Sequence, residues 1–421
     1  MKLDRRDFLK LLGASVPAWS LIPVARAQTS LYSGRILINI HASGGLDASS
    51  WTDPRETDPA MNNYAAAGTP AGLAGNIRFA PMGSNATFFA AYYQHMLVIN
   101  GVNSETNSHS DGTRAHATGR LDLNFPTMPE LFAATYGQGL PMPWLNSGGF
   151  SRSVGLVPAT PVPDQNTFRA LVTPNRATAT NDFMKQSDLD KVFAARGQRM
   201  QAMQASGALL PKADVLANQF GAAGSSRALM EQVAAFIPGT FDTPFTQAHV
   251  ALIAAQAGIT STIQLASGGF DGHSQLANSY ANSLPRLTNL VDYIWQKSAA
   301  LNLSNRIFLR IYSEFGRTPL NSGNGKDHWS VGSQVLMEAN PAWGNRVFGA
   351  SGPRHQQLKI NTATGQVDPV NGAVIKPRHI HDAVRRYLGF TTTDPKFSLK
   401  VPSTENFDFF NPGLNTGYPN L

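Results

Sequence analysis

The chain has 421 residues, with 34 basic against 27 acidic side chains, a formal net charge of +7 and no cysteine. The lack of cysteine excludes disulfides, thiolate metal ligands, thiol nucleophiles and iron–sulfur clusters, so any metal must be held by oxygen and imidazole. No lysine–arginine cluster with interleaved aromatics occurs, which argues against nucleic acid as a partner.

The chain opens Met1-Lys2-Leu3-Asp4-Arg5-Arg6-Asp7-Phe8-Leu9-Lys10 and runs through an apolar stretch to Ala25-Arg26-Ala27, a small-x-small cleavage pattern. That order is that of a twin-arginine signal over residues 1–27, with the twin-arginine translocase as partner and a periplasmic or secreted destination. Residues 9–24 are too short and too interrupted by Gly13, Pro17 and Pro23 to span a bilayer, so no stable membrane span is expected after cleavage. Removing 1–27 takes away five basic and two acidic side chains and leaves +4 on residues 28–421. That length suits a single elaborated α/β domain with a sizeable core.

A β-branched run predicts a strand over 35–40, opening into Ala42-Ser43-Gly44-Gly45-Leu46-Asp47. A second strand over 96–100 ends in the loop that carries Ser108 and His109, which runs into the start of a helix. Residues 129–136 read as a helix, and 144–157 as one or two short strands around Gly148-Gly149. The Ala-, Gln- and Met-rich stretch from 182 to 237 reads as two or three helices, a helical insertion at about 180–240, with Met184, Met200, Met203 and Met230 as packing residues.

A helix over 246–257 feeds a strand over 259–265, which opens into Ala266-Ser267-Gly268-Gly269-Phe270-Asp271, with His273 two residues on. An amphipathic helix over 284–300 carries Leu287, Val291 and Ile294 on one face. A strand over 306–312 ends in Ser313-Glu314-Phe315-Gly316-Arg317-Thr318. After it come a glycine-rich loop through Asp327-His328-Trp329, a short strand at 335–337, a hairpin near 361–372 and a helix over 379–388. This alternation predicts an α/β fold, a mostly parallel central sheet flanked by helices.

In such a sheet the C-terminal strand ends line one crevice. Asp47, His109, Asp271, His273, Glu314, Asp327 and His328 all fall on loops expected there, and together they make a candidate divalent metal site for zinc, manganese or calcium. A glycine-turn reading, with each aspartate capping a helix, competes for either Gly-Gly-x-Asp alone. Repetition after two strands, with a histidine beside the second, favours the metal. Arg317 is placed to bind an oxyanion, with a salt bridge to a neighbouring carboxylate as the rival reading. His41, His95, His116, His249 and His355 lack an acidic neighbour at a strand-end loop and default to packing or solvent. Trp329 reads as a core residue that could instead wall the site.

Gly268-Gly269-Phe270-Asp271-Gly272-His273, Ser313-Glu314-Phe315-Gly316-Arg317-Thr318 and Asp327-His328-Trp329 resemble the signature blocks of the bacterial family known as domain of unknown function 1501. Gly44-Gly45-Leu46-Asp47 with Asp53-Pro54, and the block from Thr106-Asn107-Ser108-His109 to Thr118-Gly119, resemble its N-terminal blocks. The resemblance implies an alkaline phosphatase/sulfatase-like fold and metal-dependent hydrolysis of phosphate or sulfate esters. Asp47 then matches a first-strand metal aspartate, Asp271 and His273 an aspartate–histidine pair, and Asp327 with His328 a late histidine block. Glu314-Phe315-Gly316 stands where many members have Asp-His-Gly, so one imidazole is missing. The superfamily's nucleophile falls near Thr106, Ser108 and Ser110, of which Ser108 is chosen, and a solvated loop serine is the competing reading. The alternative to an ester hydrolase is a non-catalytic, metal-containing envelope or glycan-binding protein with an anionic ester or glycan ligand.

Overall fold

The computed structural model describes residues 31–176, 181–207, 230, 232–390 and 394–418. The export signal expected over 1–27 lies outside the described residues, as does much of the expected helical insertion.

The run that predicts the first strand forms β1, Ile36–Ala42, with every residue buried. A parallel strand covered on both faces has no polar side to show, hence its nearly unbroken apolar sequence. The other strands of the main sheet are β2 (Met96–Asn103), β3 (Trp144–Asn146), β4 (Thr160–Pro161), β5 (Thr262–Ser267), β6 (Ile307–Tyr312), β9 (Val331–Glu338) and β10 (Arg346–Phe348). Their order is β10-β2-β9-β6-β1-β5-β3-β4. Only β9 runs antiparallel to its neighbours, β2 and β6; β1 pairs in parallel with β5 and β6. Between β6 and β9 the chain makes a separate antiparallel hairpin, β7 (Gly316–Leu320) with β8 (Lys326–Trp329).

The period of two along β1 divides the core. Ile36, Ile38 and Ile40 join one apolar cluster with helices α1 (Asn85–Tyr92), α6 (Thr246–Gln256) and α7 (Leu276–Ala300). Leu37 faces the other way into a cluster with α3 (Met128–Tyr136) and α8 (Pro377–Leu388). Further helices of eight residues or more are α2 (His109–Thr118), α4 (Gln165–Val172) and α5 (Gln186–Ala205). The expected α/β class, a mostly parallel sheet flanked by helices, is thus what the chain adopts.

Two departures have physical causes. Helix α7 begins at Leu276, eight residues before the expected start, and carries Pro285 inside it. The Ser283 hydroxyl donates to the Ser279 carbonyl and that of Thr288 to Leu284, so side chains bond backbone carbonyls around the proline. In the insertion, α5 has no buried residue, Met184 and Met203 are exposed, and Met230 packs against the core.

Candidate metal centre

The two Ala-Ser-Gly-Gly-x-Asp segments follow adjacent strands. They lie side by side: Ser43 N donates to Ser267 O at 3.0 Å, and Phe270 N to Ser43 O at 3.3 Å. Glycine is required where they touch. Gly44 has φ +113°, and a Cβ there would stand 2.5 Å from the Asp271 nitrogen; Gly45 has φ +78°, with Phe315 Cε2 2.3 Å from such a Cβ.

The aspartates that end the two segments have opposite surroundings. Asp47 is wholly buried, accepting from Lys326 Nζ at 2.8 Å, Ser50 Oγ at 2.6 Å, and the Ser49 amide and hydroxyl. Burial, the largest single influence, would raise its carboxyl, but the charge and hydrogen bond of Lys326, with His355 and the Ser50 hydroxyl, together hold it below the ordinary range. Asp47 therefore ties the β1 loop to the hairpin from beneath the crevice. Asp271 is half exposed at the crevice wall. Burial acts to raise it too, but the hydrogen bond and charge of Arg317, 2.5 Å from its Oδ1, hold it low.

His109, Asp271 and His328 bring one nitrogen or oxygen each to within 4.8 Å of one another, a group that could hold a metal ion. The imidazoles are oriented from behind. His109 Nδ1 lies 2.8 Å from Glu314 Oε1, and His328 Nδ1 lies 2.9 Å from the Asn107 carbonyl. Both acceptors take a proton from Nδ1, which leaves each Nε2 as a lone pair aimed towards Asp271, at 3.6 Å for His109 and 3.4 Å for His328. A histidine ligand held by a carboxylate or carbonyl on its other nitrogen is the usual outer arrangement of a metal site.

His273 repeats the pattern. Its Nδ1 is 2.9 Å from Asp327 Oδ1, and its Nε2 is 3.0 Å from both Asp271 Oδ1 and His328 Nε2. With Asp327 and Asn107 O accepting at the far nitrogens, two imidazole lone pairs face each other beside a carboxylate. A cation bound there would meet both nitrogens and the carboxylate. Two imidazoles and a carboxylate match the three-ligand sets of open zinc sites and suit manganese; calcium prefers a fuller oxygen shell. The donor set therefore fits the metal that the sequence resemblance implies.

Glu314 stands behind this group. It is 2% exposed and accepts from Gly44 N at 2.8 Å, with His41 Nε2 at 3.0 Å from its other oxygen. Burial would raise its carboxyl, but bonds to His41 and His109 push it far below the ordinary range. His41, which by sequence defaults to packing or solvent, is thus a partner of Glu314; the sign of this is its place at the end of β1, three residues before Gly44. Lys326 gave no sequence signal, since a lysine in a polar loop reads as solvated.

Arg317 is fully buried. It donates to Gly45 O at 2.9 Å, to Lys326 O at 2.8 Å, to Gly44 O and to Asp271. Four of its five N–H groups are bonded to these loops, one of them to the neighbouring carboxylate of Asp271. Ser108 is the N-cap of α2, its Oγ 3.5 Å from Asp111 N and 3.2 Å from Ser110 Oγ. Trp329 is 36% exposed, contrary to a core position, and its indole N–H donates to the carbonyl of the buried His355 at 2.8 Å.

The fold and the site together describe an α/β protein with a histidine–carboxylate crevice at the C-terminal ends of its parallel strands. Residues 179–351 match the model of the family described as "Protein of unknown function (DUF1501)". This stretch holds the Asp271, Glu314 and His328 blocks; the Gly44 and Ser108 blocks lie before it. No curated protein matches the chain. Similar solved structures include Ps i-CgsB in complex with k-i-k-neocarrahexaose, 9% identical, covering 91% of this chain and 77% of that one, with a TM-score of 0.33. A putative sulfatase from Bacteroides thetaiotaomicron is 9% identical, covering 86% and 73%, at 0.34. A magnesium-bound variant of TAB5 alkaline phosphatase is 9% identical, covering 73% and 91%, at 0.30. At such scores these are likenesses of layout, and no property of theirs is carried over. Among the described residues no helix is long and apolar enough to cross a membrane.

Proposed function

We propose that the crevice is a divalent metal centre, with zinc or manganese favoured by the donor set, in an exported hydrolase acting on phosphate or sulfate esters. The convergence of His109, Asp271 and His328 supports this reading. A bound cation would supply Lewis-acid polarisation of an ester oxygen and an activated nucleophile. The chain's own residues divide the remaining work. His109, Asp271 and His328 hold the cation with His273 alongside; Glu314, Asn107 and Asp327 fix the imidazoles. Arg317 positions Asp271 and the two glycine loops. The first turn of α2 presents backbone N–H groups beside His109, where an anionic ester is favoured. Ser108 is the hydroxyl nearest in sequence to that point. Export rests on Arg5-Arg6 and the Ala25-Arg26-Ala27 pattern, with the twin-arginine translocase as partner.

A second reading is a non-catalytic metal site in an envelope or glycan-binding protein. The engagement of both Arg317 and Ser108 in internal bonds favours it. The test is to purify the protein, quantify bound metal by mass spectrometry, and assay phosphomonoesters, phosphodiesters and sulfate esters beside His328→Ala and Asp271→Ala. Stoichiometric metal and turnover, both lost in the variants, support the hydrolase. Metal without turnover supports the second reading, and no uptake of zinc, manganese or calcium defeats both.

A further inference from the structure

A cavity of about 880 Å³ opens on the same edge of the sheet as the crevice, outside the metal-ligand group. Its size falls in the ligand-pocket range of about 300–1,000 Å³. It lies where the end of β5, the start of α4 after β4, and the first turn of α6 meet the side of α7. Helix α7 supplies Asn282, Arg286 and Asn289, an i, i+4, i+7 stripe, opposite the Leu287, Val291 and Ile294 face buried in the core. Gln165 and Asn166 add further amides from α4.

Three observations point to a ligand. Arg286 has no acidic partner in the lining: the only lining carboxylate among the described residues is Asp164, whose Oδ1 caps α4 by accepting from Asn166 N at 2.7 Å and Thr167 N at 2.9 Å. The Ser267 hydroxyl, which also lines the cavity, is 3% exposed and has no hydrogen-bond partner. Buried hydroxyls are rarely left so, and a ligand polar group would satisfy it. The cavity also abuts the crevice. Ser283, one turn before Arg286, donates to Gly269 O at 2.8 Å, and a Cβ on Gly269 would lie 3.8 Å from Arg286 Nη1. Gly269 precedes Asp271 by two residues.

Side-chain amides pair with vicinal hydroxyls as donor and acceptor at once, and an arginine free of carboxylates binds a sulfate or other oxyanion in a fork. We infer that the cavity is a subsite for an oligosaccharide bearing anionic substituents, with Arg286 on the anionic group and Asn282, Asn289 and Asn166 on ring hydroxyls. The inference deepens the ester-hydrolase reading by naming its substrate class, and it rests on that reading for the chemistry but not for binding.

The experiment is calorimetric titration of the full protein with short chondroitin sulfate and dextran sulfate oligosaccharides and their desulfated counterparts. It is repeated with Arg286→Ala, Asn282→Ala/Asn289→Ala, His328→Ala and, as a surface-charge control, Lys359→Ala. The expected result is saturable binding of a sulfated oligosaccharide, weakened about tenfold or more by Arg286→Ala and by the double amide variant, and unchanged by Lys359→Ala. Arg286 and both asparagines are exposed, so these variants keep the fold. Parent-like binding by Arg286→Ala, equal weakening by Lys359→Ala, or no saturable binding to any of the sulfated probes overturns the subsite. His328→Ala separates the two ideas: metal loss with binding retained supports an independent subsite, and binding lost with the metal overturns its independence.

Discussion

Lys326→Met tests the buried pair beneath the crevice. Lys326 Nζ and Asp47 Oδ2 are 2.8 Å apart, both side chains are 0% exposed, and Nζ also donates to Ser49 Oγ at 2.6 Å. Without the ammonium, Asp47 keeps only the Ser49 and Ser50 donors and becomes a buried charge with no counter-charge. Removing one member of such a pair costs about 3–5 kcal/mol. That is a large part of a native stability of about 5–15 kcal/mol. With a urea slope of about 3 kcal/mol/M, the midpoint should fall by about 1–1.7 M. Adding Asp47→Asn removes the charge that lost its partner, so the double variant should recover at least half of the loss. The assay is urea unfolding followed by tryptophan fluorescence and circular dichroism. A midpoint for Lys326→Met within about 0.2 M of the parent, or a double variant as unstable as the sum of the two singles, would refute the assignment of the pair as the anchor of the hairpin.

Gly44→Ala should destabilise by about 1–3 kcal/mol, from positive φ and the clash with the Asp271 amide, and should also lower metal uptake by displacing Asp271; chelator competition beside urea unfolding separates the two effects. Glu314→Gln should keep the fold yet weaken metal binding about 10–100-fold, because His109 loses its carboxylate; parent-like affinity would show that Glu314 does not orient it. Asp53, buried with bonds to Arg55 at 2.6 Å and Ser351 at 2.6 Å, is raised by burial but pulled below the ordinary range by Arg55 and His355. Its folded pKa is depressed, so its contribution is present above the unfolded carboxylate range near about 4 and is lost as pH falls through the folded value. Asp53→Asn should therefore destabilise at neutral pH and narrow the stability gap between neutral and acid, measured as urea midpoints at both; an unchanged gap would be evidence against the assignment.

The sheet was legible because its central strands are buried on both faces: the apolar runs at 36–40 and 307–312, interrupted by Asn39 and Arg310 alone, have no other use for their β-branched residues. The crevice was legible as far as strand ends and glycine loops could carry it, which covers Asp271, His273, His109 and His328. What escaped was the direction of each side chain. Asp47 and Asp271 end nearly identical segments, but β1 and β5 pair with Ala42 opposite Ser267, one residue out of step with the sequence match. One aspartate is thereby carried inward to Lys326 and the other outward. Glu314 reads as a ligand by position but is buried behind His109. The early start of α7 was obscured by Pro285, which by local rules opens a helix, and the hydroxyls that bond the carbonyls around it act only once the helix exists.

Arg317 has a consequence for when the crevice exists at all. It joins Gly45, 272 residues earlier in the chain, to Asp271 and Lys326. Contacts so far apart in sequence carry a large loop-closure entropy, which must be met before they form. A collapsed chain with its strands present but β1 not yet docked would own every side chain of the proposed centre and no centre. Cation uptake would then act as a certificate of completion, separating finished molecules from compact intermediates that spectroscopy of secondary structure cannot tell apart.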